Sequence, residues 1–175
     1  AVAEKLSGQT EVLAIQCDIG NYASVERAAQ AAAKHFGQPV DVLVNSAAVL
    51  GATGPLWTTD PAEWRSAISV NLEGTYHTMR AFLPGMIDAK RGKIVNFAGG
   101  GSAYGYPMFS SYGASKAAVV RLTETVASEC EPHNVQVNCI APGAIETELL
   151  KAVKAAGGEV RTLGSIDLVI NVVMF

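Results

Sequence analysis

The sequence predicts an α/β protein with a doubly wound parallel sheet, and three observations predict it. Short apolar runs alternate with longer helical patterns along the 175 residues, the order expected when helical crossovers join parallel strands. The runs are rich in Val, Ile and Leu without clean polar alternation, as strands buried on both faces require. A hydrophobic content of 49% with only 17% charged residues supplies a core and argues against disorder.

Glu11 to Cys17 reads as the first strand, and Ser24 to Phe36 as the helix that follows it. Val40 to Val44 is the second strand. The helix from Pro61 to Leu83 opens with Asp60 as N-cap, Pro61 at N1 and Glu63 at N3, a capping-box-like start. Lys93 to Phe97 is the third strand, followed by a glycine-rich turn at Gly99 to Gly101. In the helix from Ser111 to Cys130, the run Ala117, Ala118, Val119 and Val120 spreads over more than one face. That helix is expected to pack on the sheet and on a second surface, a partner subunit being one candidate. Val135 to Ile140 is the last clear strand, and Ala155 to Gly164 reads as a mobile loop. Periodicity does not separate helix from strand over Ile166 to Phe175, where apolar residues run to the terminus without a cap.

Composition narrows the function classes. A net charge of -3 with no Lys/Arg cluster offers no footprint for nucleic acid or an anionic membrane. No apolar run approaches the roughly 20 residues that a membrane-spanning helix needs, and no cleavable signal pattern opens the chain. Cys17, Cys130 and Cys139 lie in or beside apolar segments without CxxC spacing, so they read as buried reduced thiols of a cytoplasmic protein. His35, His77 and His133 have no metal-ligand spacing, and no metal is expected.

The chemistry is carried by Tyr112-Gly-Ala-Ser-Lys116, which sets a phenol and an ammonium four residues apart on one helix face. A nearby ammonium favours the phenolate, so it is expected to lower a pKa of about 10 toward the range useful for proton transfer. Without further markers, an exposed pair on a surface helix explains the same spacing.

Further markers exist: Cys17-Asp18-Ile19, Asn45-Ser-Ala-Ala48, Val70-Asn71, Ile94-Val-Asn96 and Pro142-Gly-x-x-x-Thr147. With the Tyr–Lys pair, they make the chain resemble the short-chain dehydrogenase/reductases over almost its whole length. These are Rossmann-fold enzymes that move hydride between NAD(H) or NADP(H) and a carbonyl or alcohol. The resemblance implies Tyr112 as acid/base and Lys116 as its tuner and the anchor of the nicotinamide ribose. Asn71 would support a proton relay through water; otherwise it is a polar residue on a helix. Asp18 would meet the adenine amino group, with Ile19 beside it, although a turn or N-cap aspartate explains Asp18 as well. Asn45 and Ala47 would line the cofactor ribose, with Ala48 standing where the family has glycine. Pro142, Gly143, Ile145 and Thr147 would hold the nicotinamide end, and about residues 147–164 would form a substrate lid. Substrates would be small carbonyls or alcohols, and assembly a homodimer or homotetramer.

Two departures accompany the resemblance. The family's catalytic serine lies thirteen residues before the tyrosine, a position held here by Gly99. Ser102, a backbone N–H of Gly100 or Gly101, or a water could supply that donor; Ser102 could equally solvate a turn. The family also opens with a strand, a glycine-rich turn and a helix that precede the strand at Glu11. The chain is therefore expected to be an incomplete portion of one Rossmann-type domain, with unpaired backbone at Glu11 to Cys17 and weak dinucleotide binding by itself. NAD and NADP are not distinguished, because the residue reading the 2′-position lies at the end of the family's second strand, which precedes the strand at Glu11. Two rivals stand beside the enzyme: a catalytically impaired homologue acting as dinucleotide sensor or scaffold, and a purely structural helix–sheet module.

Overall fold

The computed structural model describes residues 8–145, 148–157, 163–164 and 172–173. Helix α1, Tyr22–Phe36, starts where Asn21 Oδ1 accepts the Ser24 N–H at 3.2 Å, and ends at Gly37, whose φ of 65° permits the left-handed cap. Strand β1, Val42–Asn45, leads to a 3-10 turn at Leu56–Thr58 and helix α2, Pro61–Ala67. The Asp60 carboxylate caps α2 as the sequence indicates, accepting the Ala62 and Glu63 N–H groups at 2.9 Å.

A π-helical segment, Ile68–Glu73, joins α2 to helix α3, Gly74–Asp88. Helix α3 runs past Pro84 rather than stopping at Leu83. Proline withdraws one backbone hydrogen bond there, but Met86 is fully buried and Ile87 packs against the same core, which holds the last turn in place. Strand β2, Gly92–Phe97, helix α4, Ser110–Cys130, and strand β3, Val135–Ile140, follow. Beyond them come β4, Ala144–Ile145, helix α5, Glu148–Ala155, β5, Leu163–Gly164, and β6, Val172–Val173.

β1, β2 and β3 are parallel neighbours, with Val44 paired to Val95 and Ile94 to Val137. β6 adds antiparallel to β3, so this part of the ambiguous 166–175 segment is strand; the rest of it lies outside the described residues. β4 and β5 form a separate parallel pair.

Glu11 to Cys17 is not a strand. Among the described residues it has no ladder partner, and an extended segment without one stays irregular and largely open to solvent.

Helices α3 and α4 cover one face of the sheet, where Met79, Met86, Val126 and Cys130 meet Ile94, Val135 and Val137. Fully burying side chains of this kind contributes roughly 1.5–3 kcal/mol each. Burial along β2 and β3 consequently alternates, with Lys93 and Gln136 exposed, instead of being complete on both faces. The opposite face is open among the described residues, leaving Val42 and Val44 more than half exposed.

Candidate active site

Tyr112 and Lys116 lie in the first turns of α4, above the carboxyl end of β2. The Lys116 side chain is 3% exposed. Its Nζ donates to the Phe97 carbonyl oxygen at 2.8 Å and stands 5.7 Å from the centroid of the Tyr112 ring, within cation–π range. Burial pulls the lysine pKa from 10.5 down to about 8, a shift that the neighbouring Cys139 opposes.

Tyr112 does not follow the expected shift. Burial of the phenol, then the charge interaction with Tyr106, pushes its pKa up from 10.0 to about 12. Desolvation of a phenolate in this apolar setting outweighs the help of an ammonium four residues along. The Tyr112 phenol is therefore protonated at neutral pH. Its ring packs with Phe109 and with Val153 of α5, in a cluster bordered by Leu50, Tyr106 and Leu149.

Asn71 is 1% exposed, in the middle of the π segment. Its Oδ1 accepts the Val49 N–H at 2.9 Å, and its Nδ2 donates to the Val49 carbonyl and the Ser115 hydroxyl, both at 3.0 Å. Ser115 in turn donates to the Tyr112 carbonyl at 2.8 Å. The amide thus ties the chain after β1 to the helix that carries the Tyr–Lys pair. Its own carbonyl accepts the Thr75 hydroxyl at 2.7 Å.

Between β2 and α4, the Ser102 N–H closes a turn onto the Gly99 carbonyl at 3.2 Å. Ser102 is half-buried on that turn. Gly99 faces the phenol directly, for a Cβ built there would lie 2.6 Å from Tyr112 Oη.

The expected cofactor positions fall on several separate chain segments. The Asp18 carboxylate accepts the Gly20 N–H at 3.0 Å and is exposed, while the Ile19 carbonyl pairs with His77 Nδ1 at 2.8 Å. Asn45 turns its amide inward, donating to Asn96 Oδ1 at 2.8 Å; Asn96 passes the chain on to Thr123 at 2.9 Å. Ala47 is exposed just beyond β1, and Ala48 has no positive φ, so alanine is unstrained where the family has glycine. Pro142 and Gly143 follow β3, with Gly143 at φ 75°, and Ile145 lies in β4. Thr147 lies outside the described residues.

Asn71 is therefore tied through Ser115 to the Tyr112 backbone, and the buried Lys116 stands by the Tyr112 ring with its own hydrogen bond to Phe97, while Asp18 and Ile19 stand apart on the loop before α1. Sequence reasoning passed over Ser115, Tyr106 and the Phe97 carbonyl. The signal for Ser115 was its place between Tyr112 and Lys116; the other two depend on loop geometry that spacing does not encode. The donor set suits a polyol ligand, since Lys116 has three N–H donors and a single protein hydrogen bond among the described residues. No group of three or more His, Cys, Asp or Glu side chains able to hold a metal occurs among them, and no helix there is long and apolar enough to cross a membrane.

The sequence pattern of the short chain dehydrogenase family matches residues 1–158. The trans-4-hydroxycyclohexanecarboxylate dehydrogenase of Sinomonas cyclohexanicum is 32% identical over 91% of this chain and 63% of its own length. Among solved structures, NAD+-bound xylitol dehydrogenase superposes with a TM-score of 0.82 at 28% identity, over 91% of this chain and 64% of its own. A gluconate 5-dehydrogenase from Burkholderia cenocepacia J2315, in complex with NADP and tartrate, gives a TM-score of 0.74 at 32% identity, over 78% and 53%. The chain spans between about half and two thirds of the length of these three proteins. With its parallel sheet, its buried Tyr–Lys pair and these likenesses, the chain belongs to the short-chain dehydrogenase family.

Proposed function

We propose that the protein is an NAD(P)-dependent oxidoreductase acting on a small carbonyl or secondary alcohol, with Tyr112 as the proton-transferring group. The observation that carries this reading is the buried Lys116 ammonium, fixed on the Phe97 carbonyl beside the Tyr112 ring with further N–H donors to offer. Lys116 would hold the nicotinamide ribose hydroxyls. Asn45, Ala47, Pro142, Gly143, Ile145 and Thr147 would line the rest of the nicotinamide half, and Asp18 with Ile19 the adenine end. When bound, the dinucleotide supplies or accepts the hydride.

Tyr112 would hold a proton at Oη for delivery to a carbonyl oxygen, or take one from an alcohol. A phenol raised to about 12 is protonated at neutral pH, so it stands ready there as the acid of the reductive direction. Asn71 would position α4 through Ser115, and Ser102 would supply a hydrogen bond to the substrate oxygen. Residues 147–164 would form the lid, consistent with Val153 packed on the Tyr112 cluster. Assembly as a homodimer or homotetramer, and a cytoplasmic location suited to the free thiols Cys17, Cys130 and Cys139, complete the reading.

The test is turnover by the full-length protein with NADH or NADPH and a panel of ketones, and with trans-4-hydroxycyclohexanecarboxylate in the oxidative direction. Tyr112→Phe is expected to lower kcat by at least 100-fold, with little change in cofactor affinity, because general acid–base catalysis contributes roughly 10²–10⁴-fold. The oxidative rate is expected to climb through the alkaline range while the reductive rate holds. Full activity of Tyr112→Phe would remove the acid/base role.

A second reading, a catalytically impaired homologue serving as sensor or scaffold, has one observation in its favour: Gly99 stands where the family has its serine. It predicts cofactor-dependent thermal stabilisation without turnover.

A further inference from the structure

Three consecutive glycines lead from β2 toward α4, and a methyl group at any of them would crowd a side chain or the backbone. A Cβ at Gly100 would lie 3.0 Å from the Tyr106 ring, and one at Gly101 would lie 2.8 Å from both Tyr106 Cβ and Gly113 Cα. At Gly99 it would lie 2.6 Å from Tyr112 Oη, but 3.3 Å from Cζ and 3.4 Å from Cε1. The conflict is thus with the reactive oxygen itself. The ring has little freedom to move aside, because it is 8% exposed and packed with Phe109, Tyr106 and Val153.

We propose that Gly99 is a positioning residue whose missing side chain forms the seat of the Tyr112 hydroxyl. A serine there displaces the phenol instead of adding a donor beside it. Gly99 is then an adaptation of this site, not a lesion in it. The inference rests on Tyr112 being the acid/base, and its test reads the phenol independently of turnover.

The experiment labels tyrosine Cζ with carbon-13 in the full-length protein and assigns the Tyr112 resonance by its absence from Tyr112→Phe. Gly99→Ala and Gly99→Ser are compared with Gly105→Ala, a loop control whose Cβ would meet nothing within 4 Å. Both Gly99 variants are expected to shift the Tyr112 resonance and to lower Tm by roughly 5 °C, as overpacking does, while Gly105→Ala does neither. In the Tyr112→Phe background, the Tm loss from Gly99→Ala should shrink by at least half, since the oxygen makes by far the shortest contact. If Gly99→Ala fails to fold, the double variant with Tyr112→Phe should fold. An unmoved resonance, an equal Tm loss in both backgrounds, or faster turnover by Gly99→Ser would overturn the proposal. A shifted resonance alongside full activity of Tyr112→Phe would instead remove the acid/base role and leave the seat standing.

Discussion

Burying an ammonium against a phenol places opposite demands on pH. Lys116 has a folded pKa of about 8 against an ordinary 10.5. Between those values the folded chain has released a proton that the unfolded chain keeps, so stability rises with pH across that window. Tyr112 runs the other way: its folded pKa of about 12 exceeds the ordinary 10.0, and stability falls as pH climbs from about 10 to about 12. Each effect amounts to about 3 kcal/mol. Denaturant unfolding as a function of pH should therefore show a rise above pH 8 that is missing in Lys116→Met, and a fall above pH 10 that is missing in Tyr112→Phe. A flat difference between wild type and Lys116→Met would mean that the ammonium is solvated. The shared face of Tyr112 and Lys116 was legible from their spacing. The direction of the tyrosine shift was not, because a spacing records which neighbours meet and not how far water is excluded from them.

At the scale of elements, the Asp60 cap, the helices and the strands after residue 40 could be read from local pattern, since capping and apolar runs act within a few residues. The π segment could not, and it carries the more consequential geometry. By widening one turn, it sets Asn71 where one amide satisfies both backbone groups of Val49 and reaches Ser115. Removing a partner from such a buried network leaves polar groups unpaired, which costs about 1–3 kcal/mol. Asn71→Leu strips partners from Val49 N–H, Val49 C=O and Ser115, and is expected at the upper end of that range or beyond. Ser115→Ala leaves the Val49 bonds intact and is expected near 1 kcal/mol. Equilibrium unfolding of both, with the double variant, checks the order. If the two effects simply add, the amide and the hydroxyl are not coupled. Glu11 to Cys17 fails as a strand for a related reason: its apolar run has the right composition, but a strand exists only with a ladder partner.

For the whole molecule, the parallel Rossmann-like sheet expected of an incomplete portion is present, and among the described residues α3 and α4 cover one of its faces while the other is open. The runs encode apolarity on both faces. They do not encode which face a helix in this chain covers, and that difference can be measured with a single substitution made twice. Val→Thr keeps β-branching and shape while adding a hydroxyl, so strand preference is nearly constant. Val137 lies under the helices at 1% exposure, where a hydroxyl loses its water, and Val137→Thr is expected to cost roughly 1–3 kcal/mol. Val44, in β1 of the same sheet, is 55% exposed, and Val44→Thr should stay within about 0.5 kcal/mol in the 175-residue chain. Urea unfolding of the two variants reads the contrast directly. Equal costs would mean that another surface covers Val42 and Val44 in solution, and the open face would then have to be redrawn as an interface.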